Sequence, residues 1–429
     1  FCEAVCAGGR GLAWVGVALL VDASLGVRAV CSGGLPADYE RSERAFAMRI
    51  LIYSIPSYAD GDFPLIRALR EAGHEVWYIV RLAPFFMHTT LFDIERMDAR
   101  SAVLPASVYP ELSRWGDYID LERSFVSNDA VGRTGFRSFR LFLQEMRLVR
   151  RIAPDVVQHV GIPFLFQFWM LWKYRRKAVC VIHDPLPHSG EKSFRDTWKR
   201  RALAWIVPKF ILLNRVQTES FCRVSRVPAG RVFHAALGPL DYYRRFGTGV
   251  SPEKGPYILF FGRFSPYKGI DIALEAFLAV RDACPDVRLL VAGAGPLCFA
   301  WPPAGGEAGI HLIHRYLTLD ELADAVSHAL FVVCPYTDAT QSGVVQTAFA
   351  LGTPVVATAV GNLPVDVEDG RCGLVVPPRN PEALAAAFRR LLDDPALLAQ
   401  MRENIRFDAE NGRHSWKRIV EQYIRAYQA

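Results

Sequence analysis

The sequence predicts an α/β protein built of two doubly wound, Rossmann-like domains that face each other across a cleft. Three observations carry this. The chain has 429 residues, enough for two domains at roughly 150–200 residues each. Short apolar runs of strand length alternate along it with helical patterns, as in parallel sheets covered by helices. The series then restarts after "GTGVSPEKGP" (Gly247 to Pro256), a stretch with the Gly, Pro and Ser content of a linker.

The first domain is predicted over 48–245. Arg49 to Ser54 is its opening strand, and "SIPSYADGDF" (residues 54–63) is the loop behind it. Leu65, Ile66, Leu69 and Ala72 follow at helical spacing, Gly73 stops that helix, and Val76 to Val80 is the second strand. Further strands are expected at Val156–Val160, Val179–His183 and Phe210–Leu213, with a helix at Phe139–Ile152. The second domain is predicted over 257–412. It has strands at Tyr257–Phe261, Val287–Ala292, Phe331–Cys334 and Pro354–Ala357, and helices at Asp271–Cys284, Val344–Leu351 and Pro381–Leu392. A terminal helix is expected at Ser415–Tyr427, within 413–429. Residues 1–47, with a short apolar patch from Leu12 to Val21 after Arg10, read either as a signal-like segment or as an extension outside the fold.

Composition excludes several classes. The chain is 51% hydrophobic and 22% charged, an ordinary globular balance. No apolar run reaches the ~18–20 residues of a spanning helix; the longest, Val160 to Trp172, is shorter. Nine cysteines lie scattered without metal-like spacing, which suits reduced thiols in a cytoplasmic protein. Net charge is +6, unevenly spread: residues 48–245 carry 30 basic against 19 acidic side chains, and residues 246–429 carry 16 against 20. A basic first domain suggests an anionic partner. "GIPFLFQFWMLWKYRRK" (161–177) and "WKRRALAWIVPK" (198–209) join aromatic runs to basic clusters. They read as faces for an anionic membrane surface or as buried helices with solvated basic ends. No nucleic-acid module accompanies the charge.

Four constellations point to chemistry. In "FFGRFSPYKG" (260–269), Gly262, Arg263 and Lys268 lie between a strand end and a helix. A planar guanidinium and a compact ammonium held there suit a diphosphate and the charge that grows on it as it leaves. In "TDATQSGVV" (337–345), Ser342, Gly343 and Val344 open a helix, so free amides and the helix dipole make an anion site. Thr347 lies one turn further along that helix. In "VCVIHDPLPHSGE" (179–191), His183 and Asp184 end a strand, with His188 and Glu191 beyond them as candidates for shaping the acceptor side. In 54–63, Gly61 is flanked by Asp60 and Asp62, which either orient an acceptor hydroxyl or cap the following helix. The G-x-G-x-x-G fingerprint of a nicotinamide enzyme is missing, and no metal cluster is visible.

Residues 257–400 resemble the donor-binding domain of family 4 retaining glycosyltransferases, which have the GT-B fold. The resemblance rests on "ILFFGRFSPYKGIDIALEAF", "LLVAGAGP", "GTPVVATAVGNLPVDVEDGRCGLVVPPRNPEALAAAF" and the terminal helix with Trp416. It implies a sugar-nucleotide donor gripped by Arg263 and Lys268, capped by the backbone of Gly343 and Val344, with no metal and no further cofactor. It places His183 near the transferred sugar and Gly61 under the donor phosphates. It implies a terminal helix that crosses back to the first domain. The family's paired glutamates are replaced by Ala339 and Thr347, with Asp338 beside the first as a candidate sugar contact. The implied activity is transfer of a hexose-type sugar to a carbohydrate acceptor, such as a lipid-linked glycan of the cell envelope. A cytoplasmic location on the inner face of the membrane goes with it. Two rivals share the architecture: a non-catalytic sugar-nucleotide-binding protein and a sugar-nucleotide epimerase.

Overall fold

Buried apolar runs set the two sheets. A parallel strand covered on both faces needs apolar side chains on both, and "VVQHV", "AVCVI" and "YILFF" are buried at every position. The computed structural model describes residues 47–87, 89–92, 94, 100–130, 135–185, 194–297 and 309–429, with the backbone alone at 194–197.

Among these residues the first sheet has strands β1 (Arg49–Ser54), β2 (Glu75–Leu82), β3 (Ala102–Pro105), β4 (Ser124–Asn128), β5 (Val156–Val160), β6 (Ala178–Ile182), β7 (Lys209–Leu212) and β8 (Val232–His234). Their order is β3-β4-β2-β1-β5-β6-β7-β8. All pairs run parallel except β3 against β4. The second sheet has β9 (Tyr257–Phe261), β10 (Arg288–Gly293), β11 (Ile310–His314), β12 (Phe331–Cys334), β13 (Val355–Thr358) and β14 (Gly373–Val376), all parallel, in the order β11-β10-β9-β12-β13-β14. The chain order reverses between β1 and β5 in one sheet and between β9 and β12 in the other. Such switch points open a crevice at the carboxyl ends of the strands.

The structure corrects the reading of residues 54–63. They are not a loop: a short turn at Pro56–Tyr58 leads straight into a helix, Ala59–Glu71. Asp60, Gly61 and Asp62 therefore sit in that helix's first turn rather than ahead of it. Pro64 lies inside the helix, at its sixth position, so the Asp60 carbonyl goes without the N–H it would otherwise accept from. The helix predicted at Asp271–Cys284 is also shorter, Ile270–Val280, and tightens into a turn at Arg281–Ala283.

The terminal helix, Trp416–Gln428, packs against the Ala59–Glu71 helix and against β7 and β8 of the first sheet. Ile419, Val420, Tyr423, Ala426 and Tyr427 share its buried face, an i, i+1, i+4, i+7, i+8 stripe. Its polar ends are tied too. Tyr427 Oη donates to Gln158 Oε1 of β5 at 2.6 Å, Lys209 Nζ to Tyr427 O at 2.9 Å, and Trp416 Nε1 to Pro239 O at 3.0 Å. The linker is held by Asp324, which accepts from the backbone amides of Thr248 and Gly249.

Candidate functional site

Gly262 leaves β9 with φ +121, a conformation that favours glycine, and a Cβ added there would lie 3.6 Å from a Val344 methyl. The loop after β9 and the start of the Gly343–Ala350 helix are thereby neighbours. Thr337 N donates to Tyr267 O at 2.8 Å, which joins the two loops again. Lys268 Nζ stands 3.9 Å from the centre of the Tyr336 ring, a cation–π contact. Burial, with a smaller push from Arg263, lowers its pKa to about 8. Arg263 is exposed.

The helix start presents backbone amides to an open space. Ser342 caps it, its hydroxyl accepting from Val345 N at 3.4 Å and lying 3.3 Å from Tyr336 Oη. The amides of Gly343 and Val344 are the first two of the helix and have no acceptor within it. A side chain at Gly343 would project into open space, so a phosphate can come close to that backbone. Thr347 is 3% exposed, and its hydroxyl donates to Gly343 O at 2.9 Å. What it can offer a ribose is lone pairs rather than a proton. Ala339 is buried, and Asp338 is half-buried on the loop between them and β12.

From the first sheet, His183 and Asp184 follow β6 directly. The His183 ring stacks on Tyr58, with centroids 4.4 Å apart. The Gly61 α-carbon faces the same ring and Leu237. Burial pushes the His183 pKa down to about 4, against the pull of Asp184. The imidazole is neutral at physiological pH and works as a hydrogen-bonding group. Asp60 and Asp62 are pushed the other way by burial, each to about 7. Asp62 is closed in and accepts from Tyr78 Oη at 3.2 Å. Asp60 is half-buried, which leaves it as the carboxyl at this end of the helix that a ligand can reach.

Three side chains bridge the two sheets just ahead of the anion site. Gln341 Nε2 lies 3.0 Å from His183 Nδ1, Thr340 Oγ1 donates to Asp184 Oδ1, and Asn214 Nδ2, just past β7, donates to Thr340 O at 2.6 Å. The structure thus brings His183, Asp184 and Gly61 to the segment that leads into Ser342, Gly343 and Val344. Sequence reasoning missed Tyr58, Asn214, Thr340 and Gln341. Gln341 and Thr340 stood inside the "TDATQSGVV" motif, but nothing local says which strand end they meet. His188 and Glu191 lie outside the described residues. Among the described residues, no group of three or more His, Cys, Asp and Glu is placed to hold a metal, and five cysteines are free thiols.

Residues 255–394, which carry Arg263, Lys268 and the capped helix start, match the family described as "Glycosyl transferases group 1". This stretch, about a third of the chain, is similar to a group 1 domain. The chain is 35% identical over 174 residues to the D-inositol 3-phosphate glycosyltransferase of Streptomyces bingchenggensis, covering 38% of each chain. To the alpha-D-kanosaminyltransferase of Streptomyces kanamyceticus it is 27% identical over 218 residues, covering 48% of this chain and 56% of that one. The chain therefore spans well under two thirds of the length of these relatives. Over nearly the whole described chain the likeness is one of shape. A Rickettsia africae glycosyltransferase aligns over 88% of this chain and 98% of its own with a TM-score of 0.62 at 13% identity. Anabaena HepE, solved in complex with UDP, aligns over 89% and 100% with a TM-score of 0.61 at 15% identity. The chain has the GT-B fold: the stretch similar to group 1 lies in its second half, and the sheet that supplies His183 is its first.

Proposed function

We propose that the protein is a retaining glycosyltransferase that moves a sugar from a nucleotide-diphosphate donor to a carbohydrate hydroxyl. The observation that carries this is the pairing of two cations, Arg263 and Lys268, with the capped helix start Ser342–Val344 at one switch point. Together they supply charge and amide donors to a diphosphate without a metal. In this reading the donor phosphates lie between Gly262 and Gly343, and the leaving diphosphate oxygen takes the acceptor proton on the face where the acceptor attacks. The neutral His183 hydrogen-bonds the transferred sugar, with Asp184 and Asp338 as further sugar contacts. Asp60 orients the acceptor hydroxyl, and Thr347 accepts from the ribose. HepE is a protein of this fold solved with UDP, which supports a nucleoside diphosphate as the leaving group. The acceptor form we favour is a lipid-linked glycan of the cell envelope, met by a cytoplasmic protein on the anionic inner face of the membrane.

The test is nucleotide diphosphate release from a panel of nucleotide sugars, with and without a lipid-linked glycan extract. Release from one donor, raised by acceptor and lowered about 10²–10³-fold in Arg263→Ala/Lys268→Ala, is the expected result. Thermal stabilisation by a donor without turnover would favour the binding-protein reading. Interconversion of two sugars on the intact donor would favour the epimerase.

A further inference from the structure

Three helices cover one face of the first sheet: Phe136–Ile152, Leu165–Lys173 and Phe194–Ile206. The middle one touches both others. Their inward side chains, among them Phe142, Val149, Met170, Leu171, Leu203 and Ala204, share one core with β1, β5 and β6. Each helix should then turn polar residues outward. Instead, each carries large apolar side chains on its outer stripe. Phe136 and Leu143 are exposed on the first helix, Leu165, Trp169 and Trp172 on the second at i, i+4, i+7, and Trp198 and Trp205 on the third at i, i+7. Trp169 is 56% exposed and Trp205 is 81% exposed.

Cations fill the gaps between these rings. Arg140 and Arg147 lie on the Phe136 stripe, Lys173, Arg175 and Arg176 close the second helix, and Arg201 lies between Trp198 and Trp205. Arg140 stands over the Phe136 ring and Arg175 over the Trp172 ring. Among the described side chains of the three helices, the one acidic group, Glu145, is fully buried; Asp196 in the first turn of the third helix lies outside them. Protein–protein interfaces deplete charge at their centres. A layer of amphipathic Trp rings interspersed with Arg and Lys matches the interfacial zone of an anionic bilayer, with rings among the acyl ends and cations among the phosphates.

We propose that this three-helix face lies flat on an anionic lipid surface, with Trp169, Trp172, Trp198 and Trp205 as the inserted groups. The face adjoins the cleft. The Leu165–Lys173 helix begins at the carboxyl end of β5, and Arg200 of the third helix donates to Asp184 O at 2.9 Å and Pro185 O at 3.0 Å. A seated protein therefore has the His183 side of its cleft close to the headgroups, where a lipid-linked acceptor presents its glycan. Only this last step rests on the transferase reading; the docking does not.

The experiment uses the full chain, without donor or acceptor, and vesicles of phosphatidylcholine with and without one third phosphatidylglycerol. Sedimentation with the anionic vesicles, a blue-shifted tryptophan emission and release by salt are expected. Trp169→Ser/Trp205→Ser should cut partitioning about tenfold or more, and Arg175→Glu/Arg176→Glu should abolish the preference for the anionic lipid, both with unchanged circular dichroism. Donor turnover on a water-soluble acceptor should be the same in these variants as in wild type, which separates docking from chemistry. Wild type remaining in the supernatant with both vesicles would overturn the proposal. So would variants that bind like wild type, or a dimer in light scattering that Trp169→Ser/Trp205→Ser turns into monomers.

Discussion

At the scale of single residues, the site works by displacing ionisations. Lys268 is desolvated by its surroundings, sits over Tyr336 and feels Arg263, so its pKa falls to about 8. The sign follows directly: the free protein carries the charge below that pH and loses it above. For a transferase, kcat/KM for the donor should therefore fall about tenfold per pH unit above about pH 8. Arg263→Gln removes a repelling cation. It should lower kcat/KM at every pH and move the alkaline limb to higher pH. An unmoved limb would mean that Lys268 is not the group titrating. His183, pushed down to about 4, should leave no limb near neutrality.

At the scale of elements, close approach decides how the terminal helix seats. A side chain added at Gly238 would run into the Trp416 ring, within about 2.5–2.8 Å of three of its atoms. Gly238→Val should thus cost about 1–3 kcal/mol by overpacking, read as a lower midpoint in urea unfolding. Nine of the fourteen described strands and the terminal helix were legible in the sequence, because those strands are mostly apolar runs and the helix carries a clean 3.6-residue stripe; β3, β4, β8, β11 and β14 were not anticipated. Residues 54–63 misled because Pro56, Gly61 and two aspartates look like turn residues, whereas the fold places the aspartates in a first turn, where acidic groups suit the helix dipole. The run Val160 to Trp172 was ambiguous for a different reason. With apolar residues on both sides of the helix, no periodicity says which ring faces out, and only packing against Phe142 and Leu203 turns Met170 and Leu171 inward. The residues proposed for the diphosphate could be picked out because they fall in two local motifs, 260–269 and 337–345. Tyr58, Asn214 and Gln341 could not, because their partners are up to 158 positions away.

At the scale of the whole molecule, one chain of contacts runs behind the cleft. The Gly343–Ala350 helix accepts at Gln346 O from Leu240 N and at Ala350 O from Arg244 Nε, at 3.3 and 2.6 Å. Leu240 and Arg244 flank Asp241 at a tight turn, Asp241–Arg245. Asp241 pairs with Arg67 and accepts from Tyr118 Oη at 3.2 Å. Arg67 belongs to the Ala59–Glu71 helix, whose first turn presents Asp60 and Gly61. Whatever settles the first of these helices is thus felt by the last. The consequence is cooperative binding. On the proposed assignment, a nucleoside diphosphate that fixes the Gly343–Ala350 helix should favour one posture of the Ala59–Glu71 helix, and by reciprocity an acceptor held there should tighten the nucleotide by the same factor. A coupling of about 1 kcal/mol, roughly fivefold, is the expected scale. Calorimetric titration of acceptor with and without nucleoside diphosphate measures it. In Arg67→Ala the fivefold difference should disappear while each ligand alone binds as before; a difference that survives would mean that the two pockets act independently.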